Sequence, residues 1–228
     1  MKKLLLSCVL LVLPCIGFAA DALPPAPAPP PVYVPRVYDW TGLYIGANAG
    51  YGSANVSATA TLLGVSATAS ETLKGVIGGV QLGGLWQWGY AVFGAEGDFQ
   101  GSGQKNSYSV FGVSITDSIT WFTTYRVRFG VAFDRILLYG TAGGAYGQFT
   151  SDATGLGVTV STSTQRSAWT AGAGIEGAFA DRFTARLEYL YIDTGDINSA
   201  VGLVNVTSRA RDHIIRGALN FKILPWGF

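Results

Sequence analysis

The stretch ITWFTTYRVRFGVAF, Ile119 to Phe133, decides the fold. Read as a strand, it puts Ile119, Trp121, Thr123, Tyr125, Val127, Phe129, Val131 and Phe133 on one face. Thr120, Phe122, Thr124, Arg126, Arg128, Gly130 and Ala132 fall on the other, because successive strand side chains point to opposite sides. One face suits hydrocarbon and the other carries two arginines. That arrangement is backwards for a soluble sandwich and natural for a barrel in lipid with a polar interior.

Outward from this stretch, the alternation continues from Tyr38 to Ile223 without a proline or a cysteine. It predicts eight strands, over residues 40–53, 71–88, 90–101, 118–133, 136–150, 166–179, 183–193 and 212–223. Three connections are tight, at Gly89, at Asp134-Arg135 and at Ala180-Asp181-Arg182. Four are long, near 54–70, 102–117, 151–165 and 194–211. An even strand number with alternating short and long connections predicts an all-β fold, an eight-stranded antiparallel up-and-down transmembrane β-barrel in the outer membrane. Its long side would face outward and both termini would be periplasmic. No apolar run after the leader approaches the length of a membrane helix, and open sheet edges are not tolerated in lipid, so a spanning chain must close on itself. The lipid face includes Leu43, Ile45 and Tyr51 on the first strand and Ile215, Leu219 and Phe221 on the last. Two aromatic girdles are expected. Trp40, Trp86, Trp88, Phe133, Phe179, Phe183 and Phe221 would mark the periplasmic one, and Tyr51, Phe99, Trp121, Trp169, Tyr189 and Tyr191 the outer one.

The opposite parity holds the charges: Glu96, Asp98, Arg126, Arg128, Glu176, Arg186, Glu188, Arg216 and Lys222. Neighbouring strands set Glu96 and Asp98 against Arg126 and Arg128, Glu176 against Arg186, and Glu188 against Arg216. Glu96 and Asp98, at i and i+2 on one face, have a spacing that permits general acid–base chemistry. Eight strands, however, leave an interior just wide enough for side chains to fill. An unpaired buried charge costs several kcal/mol. A mutually neutralising interior charge network is therefore expected, and a wide pore is not. The inward glycines Gly46, Gly50, Gly140, Gly172 and Gly174 are expected to make room for the arginines. His213, the sole histidine, reads as a polar residue at the outer rim, and no metal-ligand spacing is found. Neither an enzyme nor a cofactor is expected.

The N-terminus is organised differently. A charged start at Lys2 and Lys3, an apolar run from Leu4 to Leu13, and small residues up to Ala22 predict a signal peptide over 1–20, cleaved after Ala20 or Ala22. Both cysteines, Cys8 and Cys15, leave with it, so the mature chain has no disulfide or thiolate chemistry. Residues 21–37 form a Pro-rich periplasmic linker, and 38–228 the barrel; seven of the nine prolines lie between Pro24 and Pro35, which favours an extended spacer. Without Lys2 and Lys3, 13 basic residues face 14 acidic ones, leaving no basic stripe for nucleic acid.

The four long connections share an apolar centre around glycine: Leu62-Leu63-Gly64-Val65, Val110-Phe111-Gly112-Val113, Gly155-Leu156-Gly157-Val158 and Val201-Gly202-Leu203-Val204. Their flanks are rich in Ser and Thr. Strands that continue past the membrane as a protruding sheet would fit, with these tips either contacting an extended partner strand or packing together over the barrel.

The most specific stretch is Trp40-Thr41-Gly42-Leu43-Tyr44-Ile45-Gly46-Ala47-Asn48-Ala49-Gly50-Tyr51-Gly52. It resembles the opening strand of the alphaproteobacterial outer-membrane porin-like proteins, often called outer-membrane immunogenic proteins. The segments Leu138 to Gly147 and Arg186 to Tyr191 resemble that family's fifth and seventh strands. The resemblance spans about Trp40 to Ile223. It implies an eight-stranded barrel of the OmpA transmembrane type, with surface loops and a part in envelope integrity and host contact. It also implies contact with outer-membrane lipid and lipopolysaccharide, and handling by the barrel-assembly machinery, which reads a terminal aromatic. Here the last strand's Leu219-Asn220-Phe221-Lys222 is followed by six more residues, including Pro225 and the final Phe228, so the assembly signal has two candidate aromatics. The reading is a monomeric outer-membrane surface protein with a structural and partner-contact role; its alternative is a small porin-like channel for ions or small solutes.

Overall fold

The computed structural model describes residues 38–63, 65–110, 113–155, 158–201 and 204–224. The expected leader and linker, Pro225 to Phe228, and the tip residues Phe111, Leu156 and Leu203 lie outside them. Among the described residues nine strands follow in order: β1 (Gly42–Leu62), β2 (Val65–Trp88), β3 (Ala91–Val110), β4 (Val113–Phe133), β5 (Ile136–Gly155), β6 (Val158–Ala178), β7 (Phe183–Asp193), β8 (Ile197–Val201) and β9 (Val204–Leu224). Each pairs antiparallel with the next from β1 to β7. Then β7 pairs with β9, and β9 closes on β1, with Ala47 opposite Leu219. Eight strands thus form the barrel wall. The ninth, β8, is a short piece beyond a break at Thr194-Gly195-Asp196, where Gly195 takes φ +67°.

The long connections expected near 54–70, 102–117, 151–165 and 194–211 are mostly strand. A membrane crossing uses about 9–11 residues, yet β1, β4, β6 and β9 each have 21. The Ser/Thr-rich flanks extend the hairpins out of the membrane, and the last described pair of each hairpin is separated by two residues in the chain: Leu62 opposite Val65, Val110 opposite Val113, Gly155 opposite Val158, and Val201 opposite Val204. Each two-residue connection contains a glycine in the sequence. Two-residue hairpin loops favour turns with positive φ, and Leu63 does adopt φ 49°.

Above the membrane the cylinder splits. Pairing of β2 with β3 stops at Lys74–Lys105, and pairing of β6 with β7 stops at Trp169–Asp193. Two four-stranded leaves result. One is the upper parts of β2, β1, β9 and β8; the other is those of β3, β4, β5 and β6. Cross-strand hydroxyl pairs tie them, among them Thr59–Thr68 and Ser107–Thr116, both at 3.0 Å, and Thr154–Thr159 at 2.9 Å. We call these leaves the crown.

Within the membrane span, exposure follows the expected parity. Val127 and Phe129 are 65% and 66% exposed, while Arg126 and Arg128 between and beside them are 3% and 2%. One end of the deciding stretch differs. A β-bulge at Thr120 turns Ile119 inward, where it is buried, and leaves Thr120 exposed; the expected facing of both is reversed because the extra residue shifts the alternation by one. Trp40, expected in a lipid girdle, is also corrected. It lies before β1, is 2% exposed, and donates its indole N–H to the Asp134 carbonyl at 2.9 Å. With Tyr38, whose ring meets it edge-on at 4.9 Å, it plugs the short-turn end of the lumen. The other girdle residues stand on the outer wall, where Phe99 and Trp121 stack at 5.8 Å and Phe183 meets Phe221 at 5.1 Å. His213 also faces outward, its Nδ1 2.7 Å from the Tyr189 hydroxyl.

Candidate functional site: a layered lumen beneath a split crown

The lumen has three layers. At the short-turn end sits an apolar plug of Tyr38, Trp40, Leu85, Val92 and Leu137. The middle layer is ionic. Four carboxylates (Glu96, Asp98, Glu176, Glu188) meet four guanidiniums (Arg126, Arg128, Arg186, Arg216), and every one of these side chains is at most 2% exposed. The layer nearest the crown is apolar again: Ile77, Ile119, Phe122, Leu190 and Ile214.

The ionic layer draws its charges from β3, β4, β6, β7 and β9 by parity, some paired between neighbouring strands and others across the lumen. Glu96 is opposite Arg126 in register and pairs with it. It is also gripped by Arg186, through Nη1 at 2.5 Å and Nη2 at 2.9 Å, the two-pronged geometry a planar guanidinium offers a carboxylate. Asp98 accepts from Arg126 at 2.9 Å and Arg216 at 3.0 Å. Glu188 accepts from Arg126 Nη1 at 3.0 Å and Arg216 Nε at 2.8 Å. Glu176 is opposite Arg186 in register, but its ion pair runs to Arg128 at 2.6 Å, because Arg186 reaches across to Glu96. Four acids and four bases cancel. This is the arrangement that buried charges require, since removing one partner leaves another uncompensated.

Lys222 does not join them. It sits at the short-turn end, donates its ammonium to the Asp39 carbonyl, and lies 4.8 Å from the Tyr38 ring centroid. The reason is register: Lys222 pairs with Tyr44, one level below the charges and beside the plug. Two tyrosines that the charge pattern alone did not reveal belong to the layer. Tyr44 donates to Glu96 at 2.6 Å, and Tyr139 donates to Glu188 at 3.0 Å while its ring faces the Arg128 guanidinium at 3.8 Å. Thr124, Thr184 and Asn220 complete the acceptors' shells. All share the inward parity, which was the available signal. A methyl group on Gly83 would strike the Tyr44 phenol, and one on Gly174 the Tyr139 phenol, so these glycines make room for rings. Gly50 does lie against Arg216, but Gly140 is exposed on the outer wall.

Of the tip residues, Leu63 is 85% exposed, Val65 76% and Val158 63%. Leu62, Val113 and Val204 end strands at the same turns. At the crown's base Arg209 donates to both carboxylate oxygens of Asp193, at 3.0 and 2.7 Å, which holds that carboxyl down at about 2.

The sequence profile of the outer membrane protein beta-barrel domain matches residues 10–209. The 31 kDa outer-membrane immunogenic protein of Brucella melitensis is 34% identical, with 97% of this chain and all of that one covered. The 25 kDa outer-membrane immunogenic protein of Brucella abortus is 32% identical, with 96% of each covered, and a 22 kDa outer membrane protein of Rhizobium leguminosarum is 31% identical over 68% of this chain and 64% of that one. Among solved structures, Neisserial surface protein A aligns over 80% of this chain and 98% of its own, with 14% identity and a TM-score of 0.44. A closed wall of alternating lipid-facing and lumen-facing residues, and full-length relatives found in outer membranes, give one conclusion: the chain belongs to the outer membrane β-barrel family, as a surface protein akin to the alphaproteobacterial outer-membrane immunogenic proteins.

Proposed function

We propose that this protein is a structural and contact protein of the cell envelope. It is a monomeric barrel, placed by the barrel-assembly machinery, that spans the outer membrane, with its crown directed outward among lipopolysaccharide and both termini periplasmic. The observation that carries this reading is the ionic layer. Eight mutually paired charges fill the cross-section between two apolar layers, which supports an anchor over a diffusion channel. The crown supports a contact role, because its hairpin tips carry exposed apolar residues such as Leu63 and Val158 far from the lipid. A host or surface protein is the partner class such tips fit.

Purified protein in planar bilayers should give no steady conductance. Steady single-channel currents from pure monomer would replace this reading with that of a small porin-like channel. Replacing Leu62, Phe111, Leu156 and Leu203 together by serine should lower cell-surface adhesion while the folded barrel keeps its heat-modifiable gel mobility. Unchanged adhesion would remove the contact role and leave the anchor.

A further inference from the structure

Between the two leaves of the crown lies a cavity of about 310 Å³. This is at the lower end of the range for small-molecule pockets, about 300–1,000 Å³. Val56, Leu73 and Phe149 give it an apolar wall. A smaller space of about 50 Å³, lined by Ile119 and Phe122, shares Phe149, Arg166 and Ala210 with it. The apolar upper layer of the lumen is thus the cavity's floor.

Two cations line this space, Arg166 and Arg209, and Arg209 is already paired with Asp193 and Asp196. Arg166 on β6 is half-buried, donates to the Ser208 hydroxyl at 3.2 Å, and has no ion pair among the described residues. The acids nearby are engaged with other groups. Both oxygens of Asp212 accept from Gln104 Nε2 at 3.0 Å, while Glu71 meets Asp117 and Asn106 at the β2–β3 seam. A partly desolvated guanidinium without a carboxylate, beside apolar surface, is the complement of a molecule with one anionic head and one apolar body. We propose that the crown cavity binds a single-chain amphiphile with a carboxylate head, of the fatty-acid class, its head on Arg166 and its chain along Val56, Leu73 and Phe149. Glu71, on the other leaf, and Asp117, on β4 of the same leaf as Arg166, also line the cavity and repel a second anionic group, so monocarboxylates are preferred over dicarboxylates of equal length. The inference stands apart from the conductance question, because the cavity lies above the ionic layer.

The test uses the full protein in lipid nanodiscs titrated with decanoate, with empty nanodiscs as the reference for partitioning. Saturable uptake above the reference is expected, with decanedioate binding more weakly. Arg166→Gln should weaken decanoate about tenfold, the scale of a lost charge-assisted hydrogen bond, and Arg166→Lys should retain most of it. Ala210→Phe, which fills the cavity from the other leaf, should abolish saturable uptake. Each variant is read only after it shows the wild-type heat-modifiable mobility. Uptake no greater than empty nanodiscs, or binding that both Arg166→Gln and Ala210→Phe leave unchanged, would overturn the proposal. So would preferential binding of decylammonium, which would move the head site to Glu71 and Asp117.

Discussion

The membrane half and the crown half of this molecule are made from the same strands, yet their insides and outsides are exchanged. In the membrane half, Val127, Phe129 and Leu219 face out and Arg126, Arg128 and Arg216 face in. In the crown, hydroxyl ladders such as Thr59–Thr68 and Ser107–Thr116 run over exposed surface, while Val56, Leu73 and Phe149 line the inside. The solvent explains the exchange. Hydrocarbon rewards apolar groups on the outer wall and forces charges to seek one another inside. Water above the membrane makes exposed hydroxyls cheap and lets apolar side chains gather within. Apart from the break at Thr194-Gly195-Asp196 after β7, the strands cross this boundary without a loop. On β4 the change is made by the bulge at Thr120, which moves Ile119 inward. On β7 and β9 the inward parity passes from charge to Leu190 and Ile214 without a register change.

Wall pairing differs in the same way. In lipid every backbone group must be paired within the wall, and the eight strands close without a gap. Above it water satisfies free edges, and the cylinder opens into two leaves along β2–β3 and β6–β7. Opening costs little there and would be prohibitive a few residues lower.

The largest effect that would break the contrast is in the ionic layer. Arg126→Ala leaves Glu96, Asp98 and Glu188 short of a partner and should cost about 3–5 kcal/mol, measured by urea unfolding of the reconstituted barrel. Thr59→Val in the crown should leave that transition unmoved. Next comes the outer wall: Val127→Arg, on β4 midway between the girdle residues Trp121 and Phe133, should cost about 2–4 kcal/mol, whereas Val160→Arg, on an exposed crown strand, should change stability by less than about 0.5 kcal/mol.

The third prediction concerns pH and separates the halves locally. The Asp193 carboxyl is held at about 2, chiefly by its hydrogen bonds from Arg209. Its folded value lies below the ordinary carboxylate value of about 3.9, so its contribution is fully present above about pH 4 and fades as pH falls toward 2. Hydrogen exchange at Thr194 and Ala210, which bond across the same break, should speed up over that window, and Arg209→Ala should produce the faster exchange already at neutral pH. Amides of the ionic layer should not respond to Arg209→Ala. The smallest effect is at a tip. Leu63 holds φ 49°, a conformation glycine adopts without strain, so Leu63→Gly should stabilise the β1–β2 hairpin by up to about 1 kcal/mol, visible as slower exchange at Leu62 and Val65.

Much of the fold was legible because a strand's period of two is short and lipid enforces it. The parity of Ile119 to Phe133 located the wall, and the same parity located Glu96, Arg126 and their partners on the inside. The failures have particular causes. Trp40 looked like a girdle residue because its type suits an interface, but it precedes β1 and folds under the barrel. Lys222 has the right parity and the wrong level. The Ser/Thr flanks read as long connections beside the wall strands, yet the same residues suggest strands continuing past the membrane as a protruding sheet, and that is where their cross-strand hydroxyl pairs form ladders. Parity says which face a residue is on, and nothing about its height along the barrel or its partner across the lumen.

By itself, then, the order of residues determined that this chain must close into a barrel with oily walls and a charged inside, since no other spanning structure satisfies both its backbone and its alternation. Only the tertiary structure decided that Arg186 grips Glu96 and leaves Glu176 to Arg128, that the charges form one layer between two apolar ones, and that the crown divides around a cavity with Arg166 in its wall. Those contacts join residues tens of positions apart across a curved interior, and their pairing is fixed by stagger and side-chain reach, which local sequence does not encode.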